Sequence, residues 1–310
     1  VPVVAYLSLG LARLRPGSRR LAGGFALAAA SLWLEPVHKT LLFGQLNLLL
    51  LVAVMVDFAP PRQRRWMGVG VGIAAGIKLT PLIFIPYLLL SRRPRAALVA
   101  LLTFAVTAVL GFVLLPADSI AYWAGKFATP GDGPERLVNQ SIFGVVQRAV
   151  HGGTGALVVW LAVVALTGAG GMVTAVIASW RGRELLGIVV CGVTGLLISP
   201  ISWTHHWVYV IPGLALAVSG VPRSWRVKAA RLAAAAVGAG LFAVWPARSG
   251  PNGYYDPRAA LVPRGLLRFV VTEGTQGPAR GRTVPPICTP TAAWSWASYD
   301  AQIGMICAVR

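Results

Sequence analysis

WMGVGVGIAAGIKLTPLIFIPYLLL, residues 66 to 90, is almost unbroken apolar sequence between Arg62, Arg64 and Arg65 on one side and Arg92, Arg93 and Arg95 on the other. At about 1.5 Å of rise per residue, a straight helix of this length crosses a hydrocarbon core about 30 Å thick and leaves one basic flank outside. The preference of Lys- and Arg-rich loops for the cytoplasmic side opposes that arrangement. Lys78-Leu79-Thr80-Pro81 offers another. Pro81 has no backbone donor and turns Thr80 away from helical geometry, so the stretch is read as two half-helices that enter and leave by the same face, with Lys78 near the bend. A lysine left in hydrocarbon costs roughly 2.5 to 3.5 kcal/mol on insertion scales, so Lys78 is expected to have a partner or a wet cavity.

The rest of the chain has the same character. Of 310 residues, 56% are hydrophobic and only 12% charged, in long continuous apolar runs; this predicts an all-α polytopic membrane protein rather than a transmembrane barrel, whose strands would alternate. The net charge of +19 raises the possibility of a nucleic-acid partner, but its distribution argues against one. Sixteen of the 28 Lys and Arg residues fall in clusters at 13–20, 62–65, 92–95, 181–183 and 223–231, each between apolar runs. Clusters so placed set topology and meet anionic lipid headgroups. Cys191, Cys288 and Cys307 have no metal-site spacing; Cys191 reads as a packing residue, and Cys288 with Cys307 is compatible with a disulfide outside the cytoplasm.

With the basic clusters inside, residues 1–10 descend, 20–34 rise, 41–58 descend and 66–90 form the broken hairpin. Then 96–115 rise, 155–180 descend, 184–199 rise, 204–220 descend and 229–246 rise. Residues 1–246 thus form the membrane domain. Its first residues lack a methionine and read as the end of a span already under way. The Arg-, Pro- and Gly-rich tail 247–310 has no adequate span and reads as poorly structured. The long outer loop 116–154 is expected to carry a short interfacial helix near Tyr122 and Trp123. A second is expected over Asn139–Val150, where Ile142, Phe143, Val146 and Ala149 recur at helical spacing.

This arrangement collects the chemistry on one side. All four histidines, together with Glu35, Asp118, Asp132 and Glu135, fall outside, whereas Asp57 and Glu184 fall near the inner face. Gln45 and Asn47 lie near the outer end of a span, beside Gly44, which is expected to permit close approach of a backbone or ligand. Uncharged amides there also serve as interhelical hydrogen-bonding groups. His205 and His206, between Trp203 and Trp207, suit a sugar or phosphate: imidazoles donate to oxygen and indoles stack on sugar faces. Adjacent histidines without a third ligand make a poor zinc site, so no metal is expected.

Together, GQLN at residues 44–47, GVGVGIAAGIKLTPLIFIPYLL followed by RRPR, VNQSIFG at 138–144 and SPISWTHHWVY at 199–209 resemble glycosyltransferase family 87, in order and over residues 20–220. The resemblance implies a C-type glycosyltransferase-like helical bundle with a broken re-entrant hairpin and periplasmic interfacial helices. It further implies a polyprenol-phosphate-mannose-dependent mannosyltransferase of the actinobacterial type, multi-pass in the bacterial plasma membrane, with its active site facing the periplasm. The lipid-linked donor, polyprenyl phosphomannose, and a glycolipid or glycan acceptor of phosphatidylinositol mannoside or lipoarabinomannan type would be its partners, without a cofactor. Lys78 would meet the donor phosphate, and Gln45, Asn47, Asn139, Gln140, His205 and His206 would line the cavity. The family's catalytic carboxylate is expected in an outer loop ahead of residue 1, with Glu35 and Asp132 as the local alternatives. Two other readings stand beside the enzyme: a carrier for a lipid-linked sugar, which would need polar groups through both leaflets, and an inactive structural paralogue.

Overall fold

The computed structural model describes residues 1–59, 65–126, 139–150 and 153–220. The basic residues 62–64 and 223–231, the expected pass 229–246, the tail, Asp132, Glu135, His151, Cys288 and Cys307 lie outside these. Among the described residues all regular structure is helical apart from one isolated bridge between Asn139 and Trp203. The helices are α1 (Pro2–Leu11), α2 (Ser18–Leu32), α3 (Glu35–Leu42), α4 (Asn47–Phe58), α5 (Val69–Ile77), α6 (Phe84–Leu90), α7 (Pro94–Leu114), α8 (Pro116–Ala121), α9 (Ile142–Val150), α10 (Gly153–Trp180), α11 (Glu184–Ile198) and α12 (Val210–Gly220), with 3-10 turns at Thr80–Ile83 and Thr204–His206.

Among the described residues two helices are long and apolar enough to cross a membrane by themselves, Pro94–Leu114 with mean hydropathy 2.6 and Leu157–Trp180 with 2.1. Both are little buried, and α7 turns Leu98, Leu102, Val106, Val109 and Val113 outward. Apolar side chains on that scale along a spanning helix suit contact with lipid rather than water. The chain is thus a helical membrane protein.

The central stretch breaks within the predicted segment Lys78–Pro81, but at Lys78, whose backbone is extended, while Thr80 belongs to a 3-10 turn. Glycines 68, 72 and 76 form one stripe of α5, and a Cβ on each would strike Ala96, Ala100 with Thr103, and Thr107 of α7 in turn. That order makes α5 run parallel to α7 at close backbone approach. After Lys78 the 3-10 turn at Pro81 redirects the chain. α6 comes back, with Tyr87 and Leu88 sharing a core with Ala96, Ala97 and Ala100 near the start of α7. Both ends of the stretch therefore lie at one end of the bundle and Lys78 towards the other. The Asp57 carboxylate, at the end of α4, accepts from Val71 N at 2.8 Å, satisfying one of the unpaired donors at the start of α5.

The same basic end is tied across long sequence separations. Arg13 Nη2 donates to Gly182 O at 2.9 Å, the Arg92 guanidinium lies 5.1 Å from the Trp180 ring centroid, and Arg93 grips Glu184 with both terminal nitrogens. Glu184 is 1% exposed and also accepts from Tyr87 Oη at 2.8 Å. α10 and α11 are antiparallel, with Gly171 against Thr194 and Gly187 against the Ala175 carbonyl. Cys191, fully buried against Ile83, is the packing residue expected.

Two expected passes have a different form. Residues 41–58 are not one helix: α3 and α4 meet at 115° around Phe43–Leu46. Gly44 has φ +63° with open space where a Cβ would stand, so its requirement is the left-handed backbone of the bend rather than close approach. Residues 204–220 begin with the separate turn Thr204–His206, and α12 starts only at Val210. In the outer segment the helix expected over Asn139–Val150 begins at Ile142, because Asn139 to Ser141 are engaged in other bonds.

Replacing Glu184 by Ala strands the Arg93 guanidinium and should lower stability by about 3 to 5 kcal/mol, read as loss of folded protein on heating in detergent. Glu184→Ala combined with Arg93→Met should recover part of that loss.

Candidate active site

Lys78 sits where α5 ends. Its N–H still completes the helix, donating to Ala74 O at 3.0 Å, but its own backbone is extended, at φ −147° and ψ 129°. The side chain points to the first residue of α4 and to the turn after α11: Nζ lies 3.3 Å from Asn47 Oδ1 and 2.8 Å from His206 Nε2. An ammonium can only donate, so His206 Nε2 must accept, which puts the ring's proton on Nδ1. The expectation that Lys78 needs a partner is met by two neutral groups 31 and 128 residues away.

The turn carrying the histidines is fastened from α3 and α4. Its His205 carbonyl accepts from Thr40 Oγ1 at 2.7 Å and from Asn47 Nδ2 at 2.9 Å. One amide, Asn47, thus holds the turn with its nitrogen and the lysine with its oxygen. The two imidazoles stand nearly perpendicular with centroids 4.6 Å apart, and Phe43 meets His205 edge-on at 5.6 Å. Asn47, Lys78, Thr80, Leu196, His206 and Tyr209 border a pocket with about 30 Å³ of free space. None of its lining side chains, among the described residues, is a carboxylate.

Burial and the neighbouring Lys78 charge push His205 down to about 3, with Lys39 adding to the effect. Burial, then Lys78 and His205, hold His206 well below the ordinary imidazole value. Both rings are therefore neutral at pH 7, and the fixed positive charge belongs to Lys78. A cation held by neutral acceptors in a site with apolar walls is the kind of group that can bind an anionic oxygen and stabilise charge that grows on it.

The structure thus brings together Asn47, Lys78 and His206, with His205 joined through its carbonyl. Gln45 is half-buried at the α3–α4 bend, two residues from Asn47. Asn139 and Gln140 reach the histidine turn from another direction: Gln140 N donates to Ser202 O at 2.8 Å with its side chain exposed, and Asn139 is completely buried. Glu35 opens α3 and pairs with Lys39 at 3.7 Å. Sequence reasoning passed over Thr40 and Tyr209. Thr40 carried a faint signal as a polar residue on the inward face of α3, beside Val37, whereas Tyr209 looked like ordinary apolar filling.

A helical membrane protein with a small pocket beside a lysine at the bend of a broken helix is the class these features define. The chain belongs to glycosyltransferase family 87, whose model matches residues 1–200. It is 36% identical over 216 residues to a polyprenol-phosphate-mannose-dependent alpha-(1-2)-phosphatidylinositol mannoside mannosyltransferase of Mycobacterium tuberculosis, covering 67% of this chain and 48% of that protein. The protein of the same description in Mycolicibacterium smegmatis is 34% identical over 204 residues, with 61% and 45% covered. A phosphatidylinositol pentamannoside mannosyltransferase of Mycolicibacterium smegmatis is 37% identical over 196 residues, with 59% and 45% covered. The chain spans about half the length of these curated relatives. No solved structure matches it.

The depressed histidines give a signed expectation. The unfolded state takes up protons near the ordinary imidazole value of about 6.5, whereas folded His205 does so only near 3. Their contribution to stability is complete above about 6.5 and is lost as pH falls from there towards 3. Thermal unfolding in detergent should show this decline, and it should be shallower in His205→Gln; equal slopes would contradict the neutral assignment.

Proposed function

We propose that this chain forms part of a membrane mannosyltransferase that takes mannose from polyprenyl phosphomannose and passes it to a lipid or glycan acceptor of the phosphatidylinositol mannoside or lipoarabinomannan type. The observation that carries the reading is Lys78, held at the bend of a broken apolar stretch between Asn47 and His206, beside a pocket. In the proposed setting the stretch 66–90 is a re-entrant hairpin, the basic end lies in the cytoplasm, and the pocket opens to the periplasm with α8 and α9 along the membrane surface. The clustering of Arg13, Arg93 and Arg181–Arg183 at the opposite end from Lys78 supports that sidedness. The mannosyl donor named for the relatives supports the choice of substrate.

In the proposed reaction the bond between the anomeric carbon and the phosphate oxygen breaks as the acceptor hydroxyl oxygen forms a new bond to that carbon. The hydroxyl proton passes to a carboxylate at the outer end, for which Glu35 and Asp132 are the candidates in this sequence. The departing polyprenyl phosphate gains negative charge, and Lys78 lies where it can stabilise it while His206 and Asn47 keep the ammonium aimed. Gln45, Asn47, Gln140, His205 and His206 are assigned to sugar, phosphate or acceptor contacts on the strength of their place around the histidine turn.

In membranes containing the full-length protein, Lys78→Ala should lower kcat/KM for polyprenyl phosphomannose by about 10²-fold, with Lys78→Arg intermediate. Unchanged donor saturation would remove the assigned role. Wild-type membranes that move the sugar across the bilayer without incorporating it would establish a carrier instead. Single cysteines at 78 and 205 should react with an impermeant thiol reagent from the periplasmic side alone; labelling from opposite sides would overturn the proposed topology.

A further inference from the structure

Asn139 is read from the sequence as a cavity-lining residue, and its side-chain amide bonds main-chain groups of the histidine turn. Its Oδ1 accepts from Ser202 N at 2.9 Å and Ser141 N at 3.2 Å, and its Nδ2 donates to Pro200 O at 3.2 Å. The neighbouring atoms complete the join. Ser141 Oγ donates to the same Pro200 carbonyl at 2.9 Å and accepts from Gly144 N at 3.1 Å, while Arg148 donates to Asn139 O at 3.0 Å. Asn139, Ser141 and Ser202 are each 0% exposed. Gly144 is needed at this join, because a Cβ there would run into Asn139.

The segment gripped in this way is short. From Pro200 and Ser202 it continues to His206, whose N–H donates to Trp203 O at 2.8 Å, and its far end is held by Thr40 and Asn47 through the His205 carbonyl. Residues 200–206 are therefore clamped between two amides, Asn139 and Asn47. With either released, the turn has a new freedom that moves His206 relative to Lys78. A buried amide bonded to main-chain groups fixes loop shape.

We infer that Asn139 is a positioning residue, which fastens the outer segment ahead of α9 to the histidine turn and thereby sets His206 against Lys78. The kinetic arm of its test rests on the proposed transferase reading; the structural arm does not. Full-length protein in membrane vesicles is treated with diethylpyrocarbonate, and acylation of His205 and His206 is followed by mass spectrometry. Asn139→Ala should raise their modification rate about tenfold, and Ser141→Ala, the milder change that also serves if Asn139→Ala fails to fold, by a smaller factor. In mannose transfer Asn139→Ala should lose about tenfold in kcat/KM, and its combination with His206→Ala should be no worse than His206→Ala alone. An unchanged rate of acylation in a folded variant, or losses that multiply in the double variant as a direct substrate contact would give, overturns the inference. Wild-type protein that transfers no mannose defeats the transferase reading, and the acylation rates still decide the role of Asn139.

Discussion

Placing a lysine at the interior bend of an apolar stretch is costly unless its ammonium finds partners, and the partners chosen here organise the polar end of the molecule. Asn47 and His206 both meet the Lys78 ammonium and are tied to each other, since the Asn47 amide nitrogen donates to the carbonyl of His205. Three segments far apart in sequence are thereby locked around one charge. Both of these partners are neutral acceptors, an amide oxygen and an imidazole nitrogen.

The opposite end follows the other rule. There Arg93 and Glu184 are a closed, buried ion pair reinforced by Tyr87, and Asp57 is spent on the start of α5. These contacts give α4 and α5 a fixed lower anchorage, while the stripe of Gly68, Gly72 and Gly76 lets α5 lie directly against α7. Since α5 delivers Lys78, the location of the ammonium depends on close helix packing at one end and on hydrogen bonds at the other. Neither alone would hold a flexible four-carbon side chain in one place.

The histidine turn has the same two-sided support, from α3 and α4 through Thr40 and Asn47 and from the segment ahead of α9 through Asn139. This explains why polar residues scattered through four motifs converge without all of them reaching the pocket. Some amides serve the ligand-facing groups and others serve the backbone that carries them. Residue type does not distinguish the two, because an asparagine offers the same donor and acceptor to a carbonyl of the chain as to a hydroxyl of a sugar.

The helical membrane class, a break within Lys78–Pro81 and the separation of Arg13, Arg93 and Arg181 from His205 and His206 were legible in the sequence, because hydropathy, turn-forming residues and charge placement act locally. The 115° corner at Gly44 was not, since a glycine within an apolar run is compatible with a straight helix or a bend until its φ is known. Nor was the turn that delays α12 to Val210. Only the tertiary structure decided which distant groups Lys78, Asn47 and Asn139 bond, for these partners, the local Ser141 apart, lie 31 to 158 residues away and are selected by the packing of helices. Local chemistry determined that the lysine needed company; the folded arrangement chose the asparagine and the imidazole, because only it brings them within hydrogen-bonding distance.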